Sequence, residues 1–302
     1  MKLAPTTAER IAALGYDYAA APKEPAGSCN LCAAGGESVI PLAERDRYGY
    51  PARLVVCGRC GLGWLSPRMT AAAYGAFYAS VYRPLVSAFH GRRIDAATVQ
   101  TQQREYATEL ATFLVPRLGP APRTILDVGG STGVVAGVLA GELGARATVV
   151  DPAPDELAVA RSAGMETIPG FAEELDPGQR RWELVLLCQT IDHLLDVQST
   201  LTALRRMTAA VGHAFVDILD VDLALRAERQ IERVVKIDHP HYLGRPTATA
   251  FFALAGYRIL GERVTGDGHR GFLLAPGPRT EPDWPALQER AGTFWRRAMA
   301  NP

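Results

Sequence analysis

The chain has 302 residues, of which 48% are apolar and 21% charged, a balance that suits a sizeable core and excludes a disordered chain. Its 32 Lys and Arg match 32 Asp and Glu, which argues against a protein built to sit on long nucleic acid or on an anionic membrane. Apolar runs such as residues 134–140 fall far short of the ~20 residues of a membrane span, and residues 1–18, broken by Thr6, Thr7, Glu9 and Arg10, carry no signal-peptide hydrophobic stretch. A reducing, cytoplasmic location is the resulting expectation, and the length suggests about two domains.

Residues 1–22 predict a short helix with an Ala-rich end. Residues 23–68 are rich in Gly, Pro and Cys, with β-like runs at 38–42 and 53–57. Thr70 is placed to cap a helix, and 95–118 reads as another, closed by Gly119-Pro120. From Arg123 the pattern alternates. Strands are expected at 124–128, 147–150, 166–168, 182–188 and 213–219. Helices are expected at 134–143, 156–163, 197–209 and 223–235. A helix over 247–255, stopped by Gly256, leads to strands at 257–264 and 271–274 that could pair as an antiparallel edge hairpin. Residues 277–302 read as a Pro-rich linker and a short helix. Strands alternating with helices predict an α/β fold with a parallel sheet covered on both faces.

Four of the five cysteines form two C-x-x-C pairs, Cys29-Asn-Leu-Cys32 and Cys57-Gly-Arg-Cys60, with 24 residues between them. In a reducing compartment this pattern reads as a metal site before disulfides. Two such turns aim four thiolates at one centre, which suits tetrahedral zinc, and Gly58 and Gly61 let the backbone wrap around it. The intervening stretch is expected to form a β-hairpin. All four positions are filled, so the metal would be structural. Four buried structural cysteines are the plain alternative. A redox role is disfavoured because neither pair opens a helix after a strand. Cys188 stands apart as a buried strand residue.

Residues 124–133, Thr-Ile-Leu-Asp-Val-Gly-Gly-Ser-Thr-Gly, place a glycine-rich loop between a strand and a helix. Such a loop lets a ligand approach the backbone and presents amides at a helix N-terminus. Asp151 ends the next strand, 18 residues after Gly133, where an acid can take a ribose diol. The dinucleotide pattern G-x-G-x-x-G does not fit, since Ser131 and Val134 fall on its second and third glycines. An ordinary tight βα turn is the alternative.

At these residues the chain resembles the class I S-adenosylmethionine-dependent methyltransferases, whose first motif reads acid-x-Gly-x-Gly-x-Gly. Asp127, Gly129 and Gly133 match, while Ser131 departs at the middle glycine, which puts the shape of the methionine pocket in doubt. Asp151-Pro152 matches the second acid, residues 170–175 the adenine-lining segment, 182–189 the fourth strand, 191–194 the short helix after it, and 250–257 the approach to the sixth strand. The resemblance covers about residues 100–276. It implies a Rossmann-like, doubly wound, mostly parallel seven-stranded sheet with S-adenosylmethionine as cofactor. It implies that Asp127 orders the loop near the methionine ammonium and that the amides of Gly129, Gly130, Ser131 and Gly133 approach the methionine portion. Asp151 and Pro152 would lie at the ribose, Ala172 and Glu173 beside the adenine, Gln189 at the end of the fourth strand, and His193 near the cofactor as a structural residue.

Residues 57–68, with Tyr78 and Tyr82, resemble the zinc-knuckle methyltransferases of bacterial sugar and secondary-metabolite pathways. The larger deoxysugar C-methyltransferases share this order and carry an additional C-terminal domain, for which 302 residues leave no room. The resemblance implies a small-molecule acceptor, a sugar or secondary metabolite.

Methyl transfer is an in-line displacement, to which a protein contributes positioning and proton removal. Lys236-Ile237-Asp238-His239-Pro240-His241-Tyr242 belongs to the acceptor side in the resembled family. His241, then His239, is the expected general base, with Asp238 orienting an imidazole; packing histidines are the alternative. Tyr78, Tyr82 and Tyr242 are the expected acceptor contacts, with core packing as the alternative, and His90, His213 and His269 have no supporting context. An rRNA methyltransferase using the knuckle for recognition is the competing reading. Zero net charge, no Lys/Arg run longer than two and no Asn-Pro-Pro-Tyr loop disfavour it. A non-catalytic S-adenosylmethionine-binding protein is the third reading. The expected organisation is a zinc-binding domain over 1–85, a helical cap over 86–120, a methyltransferase domain over 121–276 and a C-terminal tail over 277–302. Neither membrane nor nucleic acid is expected as a partner, and a homodimer is one option the sequence leaves open.

Overall fold

The computed structural model describes residues 5–175 and 178–300, with all their side chains except those of Glu37, Ala96, Glu173 and 297–300. The apolar runs after Arg123 form one sheet. Its strands are β1 (Thr124–Val128), β2 (Arg146–Asp151), β3 (Glu166–Pro169), β4 (Trp182–Leu187), β5 (Thr208–Leu219), β6 (Tyr257–Val264) and β7 (His269–Pro276). They lie in the order β6-β7-β5-β4-β1-β2-β3. The β1–β5 neighbours are parallel, and β7 runs antiparallel to both β5 and β6. The sheet is therefore mixed, seven-stranded and Rossmann-like, with the expected hairpin at one edge.

The physical reason is burial on both faces. Leu184, Val185, Leu186 and Leu187 of β4 are all fully buried, so the strand reads as an unbroken apolar run. On one side Leu110, Leu114 and Leu118 pack with Ile125, Leu186, Phe215 and Leu273. A second cluster joins Ala136, Val149, Leu157 and Ala160. The strand order reverses between β1 and β4, and ligands of open α/β sheets bind beyond the carboxyl ends of the strands at such a point.

Two elements differ from the sequence pattern. The helix expected over 223–235 is two helices, Val221–Glu228 and Ile231–Val234. Arg229 between them has φ +63°, a left-handed conformation that ends an α-helix. The apolar positions continue in phase across the break, so periodicity alone reads one helix. The helix expected over 197–209 stops at Met207, and β5 begins at Thr208. There the Thr208 hydroxyl reaches Leu204 O and the Tyr257 hydroxyl, both at 2.8 Å. The register shifts between Thr208 and His213, and this irregular start hides the strand from a two-residue pattern.

The chain divides into two compact units. One takes the chain up to Val99, Val221–Tyr242 and everything from Trp284; the other takes Gln100–Asp220 and Leu243–Asp283 and contains the seven-stranded sheet. In the first unit, strands Val39–Ala43, Leu54–Cys57, Gly63–Leu65 and His241–Tyr242 form an antiparallel sheet. The expected hairpin between the cysteine pairs is thus the first two strands of that sheet. Thr70 caps the helix Ala71–Ser80 by accepting the Ala73 N–H. Among the described residues no helix is long and apolar enough to cross a membrane.

The C-terminal helix, Trp284–Ala300, lies against the second cysteine turn. Trp295 Nε1 donates to Gly61 O at 3.1 Å. Gly61 has φ +78°, and a Cβ there would stand 2.3 Å from Ala291 Cβ. Gly61→Ala is therefore expected to lower stability by about 1–3 kcal/mol through overpacking, read as a lower urea midpoint. An unchanged midpoint would show that the helix does not seat there.

Candidate active site and metal centre

The glycine loop after β1 curls onto the carboxyl end of β2. Gly129 N and Gly130 N both donate to Val150 O, at 2.8 and 3.4 Å, Ser131 N donates to Asp151 Oδ2 at 2.9 Å, and Gly133 N to Gly130 O at 2.8 Å. In this structure the amides of Gly129, Gly130, Ser131 and Gly133 each have an acceptor within the chain. Left-handed conformations at Gly129, Ser131 and Gly133 make the curl and turn the amides inward. What the glycines supply is closeness. A Cβ on Gly130 would lie 2.7 Å from Asp127 Cγ, and one on Gly129 would lie 2.7 Å from Thr190 Cγ2.

Ser131 replaces a glycine at φ +51°. A left-handed non-glycine residue costs about 1–2 kcal/mol. Its hydroxyl bonds Glu156 Oε2 at 2.9 Å while its amide holds Asp151, and these two bonds offset the strain.

Asp127 is 1% exposed, and its Oδ2 has no hydrogen-bond partner among the described residues. Burial pushes its pKa up to about 7, against a backbone hydrogen bond from Ala136 that lowers it. An orphaned buried carboxylate oxygen beside a glycine loop fits a ligand cation. Thr132 Oγ1 on the loop is likewise buried without a partner. Asp151 ends β2; its Oδ1 accepts Ala153 N at 2.8 Å, and burial raises its pKa. A cavity of about 130 Å³ opens at Asp127, Gly129 and Gly130. Val135, Cys188, Gln189, Thr190, Gln103 and Tyr106 complete its lining.

Pro152 is exposed beside Asp151, and Ala172 is buried in the short helix Ala172–Glu174. The Glu173 side chain lies outside the described residues. Gln189 follows β4 on the cavity rim, and His193 closes the short helix Ile191–His193. The Cys188 thiol is held protonated by burial and by the nearby charges of Asp127 and Asp217, in keeping with a packing role. Sequence reasoning missed Tyr106 and Asp217. Tyr106 Oη donates to Asp217 Oδ2 at 2.7 Å. Neither residue lies in a motif, and 111 positions separate them.

The histidine candidates lie in the first unit. Asp238, His239 and His241 are all buried, and His239 Nε2 lies 3.5 Å from Asp238 Oδ2. Their segment is held by side chains on consecutive carbonyls. Tyr242 Oη donates to Lys236 O at 2.9 Å, Tyr74 Oη to Ile237 O at 3.2 Å, and Tyr78 Oη to Asp238 O at 3.0 Å. Asp46 Oδ2 accepts Ile237 N at 3.3 Å, and Leu65 N donates to Pro240 O at 3.0 Å. Tyr242 Oη also accepts Lys236 N at 2.8 Å, so its one proton is already engaged. Tyr78 packs edge-on to Tyr82 at 5.3 Å between ring centroids.

The four paired cysteines converge. Their sulfurs all lie within 4.8 Å of one another, with Cys29 Sγ to Cys60 Sγ at 3.4 Å and Cys32 Sγ to Cys57 Sγ at 3.5 Å. Sulfurs on a tetrahedron with metal–sulfur bonds of about 2.3 Å stand just under 4 Å apart. The donor set and spacing fit a structural metal.

A sheet of this order, with Asp127 one residue before the end of β1 and Asp151 ending β2, belongs to the Rossmann-like α/β class. Comparison narrows it. The family model described as "Methyltransferase domain" matches residues 99–262, more than half the chain, and the chain belongs to that family. It is similar to the C-methyltransferase NovU of Streptomyces niveus, with 27% identity over 267 residues, covering 85% of this chain and 56% of that protein. The chain thus spans little more than half the length of that relative. The magnesium protoporphyrin IX methyltransferase of Synechocystis PCC 6803, solved with bound SAH, shares the fold at TM-score 0.50 and 11% identity, over 61% of this chain and 89% of that one. A protein of Pyrococcus horikoshii OT3 does so at TM-score 0.50 and 18% identity, over 57% of this chain and 90% of that one.

Proposed function

We propose that the chain transfers a methyl group from S-adenosylmethionine to a small-molecule acceptor, a sugar or secondary metabolite. The observation that carries this reading is the orphaned Asp127 carboxylate oxygen, buried at the glycine loop of a methyltransferase-family sheet. S-adenosylmethionine, when bound, supplies an activated methyl group on a sulfonium. Asp127 receives the ammonium of the methionine portion, and Asp151 accepts the ribose hydroxyls with the lone pairs its two backbone bonds leave. Ala172 and Glu173 flank the adenine. Gln189, Val135 and Tyr106 line the same cavity as Asp127 and would help enclose the bound cofactor.

Proton removal from the acceptor falls to His241, then His239, with Asp238 beside the latter. The rigid backbone of their segment supports this assignment, because a general base must hold its geometry to within hydrogen-bond reach. Net charge zero supports a small acceptor over RNA, and the similarity to the C-methyltransferase NovU supports methyl transfer as the activity. The four cysteines hold one structural zinc, which ties the second cysteine turn to its hairpin.

His241→Ala and His239→Ala, assayed with candidate acceptors and titrated with S-adenosylhomocysteine, test the base. His241→Ala is expected to lose turnover by about 100-fold or more with cofactor affinity kept. Normal turnover in both variants would remove histidine as the base. Loss in His239→Ala alone would move the role to His239.

A further inference from the structure

Asp217, near the carboxyl end of β5, is 1% exposed and lies outside every motif of the cofactor site. Both its oxygens are held by residues of the cavity wall. Tyr106 Oη donates to Oδ2 at 2.7 Å, and Gln189 N donates to Oδ1 at 2.5 Å. Tyr106 stands on the helix Ala96–Leu114, and Gln189 follows β4. Gln189 has φ +49°, a conformation that a non-glycine residue keeps only when its surroundings hold it. The Asp217 bond to its amide is that hold.

A second observation points the same way. The Arg263 guanidinium lies 5.1 Å from the Tyr106 ring centroid, and its Nε and Nη2 are buried without a hydrogen-bond partner among the described residues. Burial raises the Asp217 pKa, and the hydrogen bonds from the Gln189 amide and the Tyr106 hydroxyl act against that rise, ahead of the charges of His269 and Arg263. A carboxylate oxygen accepts each of these two donors, so the hydrogen-bond geometry itself ties Asp217 to both walls.

We infer that Asp217 is a positioning residue for cofactor binding, fixing through the Tyr106 hydroxyl and the Gln189 amide two walls of the cavity beside Asp127. The inference rests on the reading that this cavity takes S-adenosylmethionine. Asp217 touches no ligand itself. It joins the helix carrying Tyr106 to the end of β4, so the cavity is shaped before the cofactor arrives. Pre-shaping of this kind raises affinity by removing ordering cost on binding.

The test uses the full chain and S-adenosylhomocysteine as probe, in calorimetry on the wild type, Tyr106→Phe, Asp217→Asn and the double variant. Tyr106→Phe removes one hydroxyl from a packed ring and is expected to fold with a melting temperature within a few degrees of wild type. Each single variant is expected to weaken binding by about 10-fold, and the double variant no more than the weaker single, because one unit is broken either way. A purely structural role would show its coupling in the melting temperature and leave the Tyr106→Phe affinity unchanged. Unchanged affinity in Tyr106→Phe, or full additivity in the double variant, overturns the inference. If Asp217→Asn does not fold, Tyr106→Phe still decides. If the wild type does not bind the probe, the cofactor reading fails and the inference with it; if the wild type binds and Tyr106→Phe binds equally, only the inference fails.

Discussion

Cys57→Ser is expected to take the purified chain from one zinc to almost none and to lower its thermal stability more than any other single change. The four sulfurs lie within 4.8 Å of one another and come from two turns joined by the Val39–Ala43 and Leu54–Cys57 hairpin. That hairpin is small, and the second turn also receives Trp295 at Gly61. A structural zinc contributes about 10–16 kcal/mol of apparent binding free energy, which a small metallo-element converts to folding free energy. Removing one ligand from four loses most of it. A strong chelator at neutral pH is expected to act alike, and acid to assist it, because protons compete with the metal for thiolates. Metal analysis and a melting curve check both. A wild-type chain purified without metal, or one whose melting curve neither the chelator nor Cys57→Ser lowers, would dismiss the zinc.

Asp151→Ala is expected to weaken S-adenosylhomocysteine binding by about 100-fold, the cost of removing a charged acceptor from a ligand diol together with its loop. Two effects combine. On the proposed reading the ribose hydroxyls would lose their acceptor, and the amides of Ser131 and Ala153 lose theirs. Calorimetry reads the affinity, and an undiminished value would refute the ribose assignment.

Asp127 adds a pH dependence whose sign follows from its environment. Burial raises its pKa to about 7 in the free protein, well above the ordinary carboxylate value of 3.8. Between those values the free folded chain holds a proton that the cationic ligand group must displace. Affinity is therefore expected to climb as pH rises towards about 7 and to level above it, with protons released on binding below that point. Asp127→Asn is expected to flatten the profile. Titrations from about pH 5.5 to about pH 8 in buffers of different ionisation heat measure both quantities. The same raised pKa has a cost in stability. An acid whose folded pKa lies above its unfolded value destabilises the fold as pH climbs through that window, so ligand binding and fold stability respond to pH with opposite signs at this residue.

The strands and the glycine loop were legible because their causes are local. Thr124–Val128 is a short strand whose Ile125, Leu126 and Val128 are apolar, followed by two glycines, and strand-like segments recur after it between helical ones. The cysteine cluster was legible because paired C-x-x-C spacing encodes the geometry of the turn that brings thiols together. The placement of Asp151 followed from its position at a strand end. The hydrogen bonds of the Gly129 and Gly130 amides to Val150 O were not legible, since they depend on which carbonyl the curled loop meets. The break at Arg229 was hidden because apolar phase crosses it unbroken.

Local periodicity and motif spacing settle the α/β class, the sheet-forming runs, the acid and glycine positions and the four thiols. They do so because side-chain direction repeats every two residues in a strand and every 3.6 in a helix. Tertiary structure alone decides which distant groups share a site. Trp295 meets Gly61 across 234 positions, Tyr78 reaches Asp238 across 160, and Tyr106 reaches Asp217 across 111. No local pattern carries such pairs, because each partner satisfies its own element's periodicity whichever residue it faces. Packing within each compact unit selects the partner, and burial then makes the hydrogen bond obligatory.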